Sequence, residues 1–128
     1  MPIEFTIDHA RRLVTATARG TLTGQDVFGY QRDAWSRADV QGYNELLDMR
    51  AVELIDLPSV DNMRALAELS ASMDAPRTSS KFAIVATSDE AFGLARMYET
   101  YRHLEDAGTK QVGVFRTLNE AYAYLGVA

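Results

Sequence analysis

Two short stretches near the start of the chain alternate apolar and polar residues with a period of two. Residues 3–7 read IEFTI and residues 14–18 read VTATA. This period is typical of β-strands with one buried face. Because a short polar link, residues 8–12, separates the two stretches, the pattern predicts an antiparallel hairpin whose second strand ends at Gly20.

Apolar residues at helical spacing recur in three long stretches and one short stretch. They predict helices over residues 24–37, from Ser59 to Pro76, over residues 87–107 with Gly108 as the C-cap, and from Thr117 to about Gly126. Thr23, Ser59 and Thr117 are the predicted N-caps, since their hydroxyls can accept hydrogen bonds from the first turn. Asp26 and Glu120 lie three residues after such caps and predict capping boxes.

Three further strands are predicted between these helices, over residues 44–49, 81–87 and 111–115. The KFAIVAT run at 81–87 is almost continuously apolar, which is typical of a central strand covered on both faces. The order is ββαβαβαβα. It predicts the α/β class: a mixed five-stranded sheet, with an N-terminal antiparallel hairpin plus parallel strands, and about four helices. We expect residues 1–128 to form a single domain.

Composition narrows the classes of partner and location. The chain has 128 residues, a formal net charge of −5 and no cysteine. An acidic surface repels phosphate backbones, so we expect no nucleic-acid partner. The absence of cysteine removes disulfides and thiolate metal sites. The sequence shows neither a signal peptide nor an apolar run long enough for a membrane span, so we expect a cytoplasmic location.

Catalytic signatures are missing from the sequence. It contains no P-loop, GxGxxG, HExxH or GxSxG motif, and we expect no catalytic residue, cofactor or metal site. His9 and His103 are interpreted as surface residues. Several carboxylates fall in predicted first helical turns, where they offset the helix dipole and disfavour phosphate binding. These carboxylates are Asp26, Asp61, Asp89, Glu90 and Glu120.

The longest predicted helix carries aromatic and thioether side chains. Phe92, Met97, Tyr98 and Tyr101 lie close to one stripe, which favours packing against the sheet. The alternative interpretation is that these four residues line an apolar pocket, because aromatic and methionine side chains adapt to varied ligands.

Residues 46–60, LLDMRAVELIDLPSV, have the form of a switch segment. A strand ending in Asp48 leads through Arg50 to the pair Ile55-Asp56 and then to the helix cap at Ser59. The segment resembles that of STAS domains, the family of anti-sigma-factor antagonists and sulfate-transporter tails. The pieces RLVTATARGTLTGQD, YNELLDMR, KFAIVATSDEAFGLARMYETYR and QVGVFRTLNEAYAYLG are similar to the SpoIIAA-like, or STAS/SEC14-like, bacterial domains. This resemblance implies the fold and no particular activity.

One departure from the family bears on regulation. Antagonists of this family carry a phosphorylatable serine directly after the Ile-Asp pair, and here that place is taken by Leu57, followed by Pro58. The phospho-acceptor is therefore absent. Ser59 is better explained as a helix cap, since a phosphate there would face Asp56 and Asp61. We expect the segment around Leu57 and Pro58 to be stiff, because proline fixes its own φ and restricts its predecessor.

Three hypotheses follow from these residues. The first is a non-catalytic binding or regulatory module that acts through protein contacts, with self-association as a homodimer through the hairpin edge or residues 51–58. The second is a carrier or sensor of a small apolar ligand under the long helix. The third is acid–base chemistry from Asp48, Arg50 and Asp56, at the strand ends where ligands of open α/β sheets collect. We also expect Ile55 to be buried and Asp56 to accept a backbone hydrogen bond.

Overall fold

A computed structural model describes residues 2–57 and 59–127. Its strands and helices follow one another in the predicted order ββαβαβαβα, so the predicted fold class is confirmed. A short 3-10 helix, Ala38–Val40, precedes the third strand. The elements are β1 Ile3–Asp8, β2 Leu13–Thr23, α1 Gly24–Trp35, β3 Asn44–Asp56, α2 Val60–Met73, β4 Ser80–Val85, α3 Asp89–His103, β5 Lys110–Phe115 and α4 Leu118–Leu125.

The five strands lie in the sheet in the same order as in the sequence. β1 is antiparallel to β2, and the pairs β2–β3, β3–β4 and β4–β5 are parallel. Each parallel pair is joined by one crossover helix. Because crossovers are right-handed and the strands are added in one direction, all three crossover helices lie on the same face of the sheet. The last helix, α4, follows β5 and packs on the opposite face.

Two apolar cores result from this arrangement. The larger core packs the buried residues of α1, α2 and α3 against one face of the sheet, including Leu47, Phe82 and Ile84. The smaller core packs α4 against Leu46 and Ala83 on the other face. Alternate residues of β3 and β4 therefore belong to different cores, which explains the almost continuous apolar run in β4.

The helix N-termini follow the sequence closely. Thr23 and Asp26 form the predicted capping box, with Asp26 N–H donating to the Thr23 hydroxyl at 3.2 Å and Thr23 N–H donating to the Asp26 carboxylate at 2.9 Å. Ser59 caps α2 by accepting from Asn62 N–H at 3.2 Å, and Thr117 caps α4. These caps are confirmed, because each depends only on residues three positions apart.

Several predicted boundaries are wrong. β3 continues to Asp56, whereas the sequence predicted a loop after Met49, because residues 51–56 pair with the far half of β2. α3 spans Asp89–His103 and its C-cap is Leu104, so Gly108 does not cap it. α2 begins at Val60, whose side chain is half exposed although it is apolar.

Candidate functional site

The strand β3 extends well beyond its partner β4. It pairs with β4 over Glu45–Asp48 and with β2 over Asn44–Asp56, so in the described part of the chain its last residues have one paired edge. Two register shifts, one between Thr17 and Arg19 of β2 and one between Gly20 and Thr21, each add one residue to β3. One inserted residue would turn the side chains to the other face, and the second restores their direction.

The two bulges determine which side chains around the pair Ile55-Asp56 face the core. Ile55 pairs with the buried Leu22 and, like Leu57, packs against the larger core. Leu54 is 56% exposed, and the Asp56 side chain faces solvent. Ile55 was expected to be fully buried, but it is half-buried, since β4 does not continue beside it. The expected hydrogen bond to Asp56 is also wrong: its carboxylate accepts none from residues 2–57 or 59–127.

Asp48 and Arg50 form a tight surface pair. Arg50 donates from Nε and Nη2 to the two Asp48 oxygens, both at 3.0 Å, and its backbone N–H also donates to Asp48 at 3.0 Å. Burial alone raises the pKa of Asp48, but the hydrogen bonds from Arg50 outweigh it and hold this pKa below its usual range. Asp48 shares the face of Leu46, under α4, whereas Asp56 lies beside α1 and α2. The three residues proposed for acid–base chemistry therefore do not form one site.

A partly open cavity of about 70 Å³ lies between the sheet and the three crossover helices. We call it the inner cavity. Its wall includes side chains from β1 to β4, from α1, α2 and α3, and from Leu57, which follows β3. The lining is almost entirely apolar and includes Leu22, Val27, Leu47, Ile55, Leu57, Met63, Leu66, Ile84, Leu94, Ala95 and Tyr98.

The inner cavity differs from the pocket predicted under the long helix. Of the four predicted lining residues, Tyr98 contributes to the wall. Phe92 instead lies under the Arg116 guanidinium, 4.0 Å from its ring centroid, and Met97 is 36% exposed. Tyr101 is half-buried, with Arg64 placed 5.9 Å from its ring centroid. The difference arises because Leu94, Ala95 and Tyr98 form the helix face that meets the sheet, and this face is rotated away from the predicted stripe.

A buried ionic cluster lies beside one end of the inner cavity. Glu45 Oε1 accepts from Lys110 Nζ at 3.0 Å, and Oε2 accepts from Tyr30 Oη at 2.7 Å and Trp35 Nε1 at 3.1 Å. The Lys110 ammonium lies 3.0 Å from the centre of the Trp35 ring. Burial lowers the pKa of Lys110, against the opposing effect of the nearby Glu45 carboxylate. We call these four side chains the Glu45 cluster.

The Glu45 cluster was not predicted from the sequence, although the alternation of residues indicated it. Glu45 alternates with Leu47 and Met49, and Lys110 alternates with Val112, so each lies on the apolar face of its strand. A charged residue at an apolar position of a strand is expected to have a buried partner of opposite charge. The identity of that partner was not predictable, because 65 residues separate the two.

A second buried network fastens the C-terminal end of α3. Arg102 donates to both oxygens of Asp74, at 2.8 and 3.0 Å, and to the Tyr98 hydroxyl at 2.9 Å. The Asp74 carboxylate also accepts the backbone N–H groups of Thr109 and Lys110. Burial alone raises the pKa of Asp74, but these hydrogen bonds hold it below its usual range. The network fixes where β5 begins, which explains the early end of α3.

A groove on the protein surface lies outside the inner cavity. Its walls are α1 from its cap to Arg32, the first turn of α2, and Asp56. We call it the outer groove, and it is lined by Thr23, Gly24, Gln25, Phe28, Gly29, Arg32, Asp56 and Asn62. The Arg32 guanidinium lies 5.6 Å from the centre of the Phe28 ring. Ser59, the remaining residue of the predicted switch segment, is exposed and engaged as the cap of α2.

Within residues 2–57 and 59–127, no group of three or more histidine or acidic side chains could hold a metal ion. In the same residues, no helix has the length and apolar composition needed to cross a membrane.

The single mixed sheet, with three helices on one face and one on the other, defines an α/β protein of SpoIIAA-like fold, so the predicted fold is confirmed. The chain is similar to an uncharacterised protein of the DUF3478 family with a SpoIIAA-like fold from Shewanella loihica PV-4. The two share 15% sequence identity over 96% of this chain and 93% of that one, with a TM-score of 0.60. This likeness shows the fold alone. No protein-family model and no curated protein sequence matches the chain.

Proposed function

We propose that residues 1–128 form one cytoplasmic domain that acts as a non-catalytic binding module through contacts with another protein. The observation that supports this most directly is an exposed apolar pair in the switch segment. Leu54 is 56% exposed and Val60 is 50% exposed, and both lie within the seven residues 54–60, of which Asp56 lines the outer groove. An exposed apolar patch with a polar rim is typical of a protein contact surface.

The charges around this pair specify the chemistry of the partner. Glu53, Asp56 and Asp61 are exposed, and residues 53–61 contain no basic side chain. We therefore propose a partner whose contact surface has an apolar centre and a basic rim, since opposite charges favour encounter and register. Regulation by phosphorylation after the Ile-Asp pair is not part of this proposal, because Leu57 carries no hydroxyl.

The test is affinity capture from the native cell, followed by binding measurements with the purified partner. Leu54→Asp and Val60→Asp should each weaken the binding of that partner at least ~10-fold, a loss of about 1.4 kcal/mol. Leu104→Asp is the matched control, because Leu104 is 71% exposed at the far end of α3. Equal binding by all four proteins would contradict this assignment of the contact surface.

A second proposed function is that of a carrier or sensor of a small apolar ligand. The observation that favours it is the inner cavity, which has an apolar wall in the middle of the larger core. A dry apolar cavity of about 150 Å³ can bind benzene or xenon. The inner cavity has about half that volume, so it accepts a few heavy atoms, and a lipid chain would require it to widen.

Native mass spectrometry of freshly purified protein tests this second function. A co-purifying apolar molecule that disappears when Ala95→Val narrows the inner cavity would support it. Ala65→Val is the control, since Ala65 is exposed on α2 and the substitution is chemically the same. Retention of the same molecule by the Ala95→Val variant would place it elsewhere.

Self-association as a homodimer is the simplest form of protein contact that we propose. The free edge of β1 and the exposed Leu54 are the surfaces assigned to it. Sedimentation equilibrium of the wild type and of Leu54→Asp distinguishes the two surfaces, and a monomeric wild type at high concentration would refute the dimer.

A further inference from the structure

We propose that a small, uncharged apolar molecule in the inner cavity regulates the outer groove, because the two share their walls. The inference deepens the two proposed functions and rests on the second of them, the binding of an apolar ligand. The cavity ligand would act as an effector of the protein contact, by holding the common wall in its binding conformation.

The polar side chains around the inner cavity define the class of ligand. Tyr30 and Glu45 are hydrogen-bonded to each other, Ser70 donates to Gln31 at 2.9 Å, and Tyr98 accepts from Arg102. Each of these groups already has a partner within the protein. A ligand with its own charge or hydrogen-bonding groups would find its polar atoms unmatched, at a cost that an apolar ligand does not have.

The first shared wall is the end of β3 and the residue that follows it. Ile55 and Leu57 line the inner cavity, and Asp56 between them lines the outer groove. This alternation follows from the period of two in extended chain. A shift of the backbone at Ile55 or Leu57 would therefore also move the Asp56 carboxylate in the outer groove.

The second shared wall is α1. Val27 and Tyr30 line the inner cavity, whereas Phe28 and Arg32 on the other side of the helix line the outer groove. α2 contributes in the same way: Met63 lines the cavity, and its neighbour Asn62 lines the groove. Three consecutive elements thus present one face to each site.

The deep end of the inner cavity is fixed, and its outer end is held more weakly. The Glu45 cluster joins α1, β3 and β5 through charged hydrogen bonds at the deep end. At the outer end, Ile55 lies in the part of β3 beyond Asp48, where β3 is no longer paired with β4. Since apolar packing alone holds the side chains of Ile55 and Leu57 in the described structure, a molecule in the cavity acts first on this wall.

Filling the void adds contacts to both apolar side chains and restricts their motion. When the wall is already ordered, less conformational entropy is lost as the partner binds to it. The coupling between ligand binding and partner binding is therefore positive. Linkage requires that the partner and the ligand strengthen each other's binding by the same factor.

The absence of cysteine in the chain allows a clean test. A single cysteine introduced by Asn62→Cys carries a trifluoromethyl label at the outer groove, and Thr6→Cys carries the same label on the exposed surface of β1. Xenon is the apolar probe, and nitrogen at the same pressure is the control. Methyl resonances of Ile55 and Leu57 report xenon binding, and fluorine resonances report the surface.

Xenon should shift the methyl resonances of Ile55 and Leu57 in a saturable way. The label at position 62 should move with the same half-saturation pressure, and the label at position 6 should not move. Ala95→Val should remove the saturable response, and Ala65→Val should keep it. The main comparison, between the labels at positions 62 and 6, is made without the Ala95→Val substitution. It therefore does not depend on whether the Ala95→Val variant folds.

Two results would overturn the inference, and they differ in what else they contradict. If xenon shifts the methyl resonances in a saturable way but the fluorine resonance at position 62 does not change, the coupling is refuted. The proposed binding of an apolar ligand is not contradicted by that result. Methyl resonances that respond to xenon no more than to nitrogen would refute ligand binding in the inner cavity, and the regulation with it.

Discussion

Removing the positive charge from the Glu45 cluster is the sharpest test of how the core is held together. The side chain of Lys110 is 5% exposed and that of Glu45 is 2% exposed, so neither charge can turn to water when its partner is lost. In Lys110→Met, Glu45 Oε2 keeps its donors from Tyr30 and Trp35, but Oε1 loses the ammonium. The variant therefore contains a buried carboxylate that keeps two of its three hydrogen-bond donors and has lost its counter-charge.

We expect Lys110→Met to lower the free energy of unfolding by about 3–5 kcal/mol, the usual cost of breaking one side of a buried ion pair. A native domain has on the order of 5–15 kcal/mol in total, so the loss is a large fraction of it. For a chain of this length, this loss corresponds to a Tm lower by roughly 10–20 °C. Adding Glu45→Gln to Lys110→Met should recover part of the loss, because the unpaired charge is then removed.

The assay is urea unfolding at pH 7, followed by far-UV circular dichroism and by fluorescence of Trp35, the single tryptophan of the chain. The control is Arg50→Met, which removes an ion pair with the same 3.0 Å nitrogen–oxygen distance whose Arg50 side chain is 48% exposed. This control should cost about 0–1 kcal/mol. If Lys110→Met lowers the free energy of unfolding no more than Arg50→Met does, burial does not make the loss of the Lys110–Glu45 pair more costly, and the reasoning is refuted.

Three further predictions concern single positions. Asp74→Asn should flatten the loss of stability in acid: the folded-state pKa of Asp74 lies below the unfolded value of about 3.9, so its contribution is present above pH 4 and disappears as pH falls through the folded pKa. Urea midpoints between pH 7 and pH 2.5 measure this, and an unchanged acid slope would contradict it. Ser59→Ala should cost ~1 kcal/mol through loss of the α2 cap, and phosphopeptide mass spectrometry of the native protein should find Ser59 unmodified; a stoichiometric phosphate there would restore the switch hypothesis. Ile55→Ala should cost about 1–3 kcal/mol in urea unfolding, less than a fully buried isoleucine, against ~0.5 kcal/mol or less for Leu54→Ala; equal losses would show that the wall of the inner cavity is misassigned.

Leu57 connects the sequence interpretation with the structure. The sequence predicted that the phospho-acceptor position is apolar, and the structure adds that this side chain packs against the larger core and lines the inner cavity. The predicted stiffness of the chain at Leu57 and Pro58 stays a prediction, because Pro58 lies outside the described residues. We expect Leu57→Ser to destabilise the fold, since it would place a hydroxyl at an apolar wall.

Local chemistry explains which features could be predicted from the sequence. The hydrophobic periods of two and 3.6 determined the order of strands and helices, because they describe which side of each element is buried. The caps at Thr23, Ser59 and Thr117 were predictable for the same reason, since a cap and its backbone partner lie three residues apart. The apolar Leu57 at the acceptor position is likewise a property of one position in the chain.

Only the tertiary structure decided the features that depend on distant partners. β3 extends to Asp56 because β2 lies beside it, and two bulges in that pairing turn Ile55 inward and leave Leu54 exposed. The partner of Glu45 is Lys110, two strands away in the sheet. The inner cavity lies where the side chains of three helices do not fill the space above the sheet. No local sequence pattern predicts the volume of such a space. Pairing register, charge pairing and packing are each set by residues that meet only after the chain has folded.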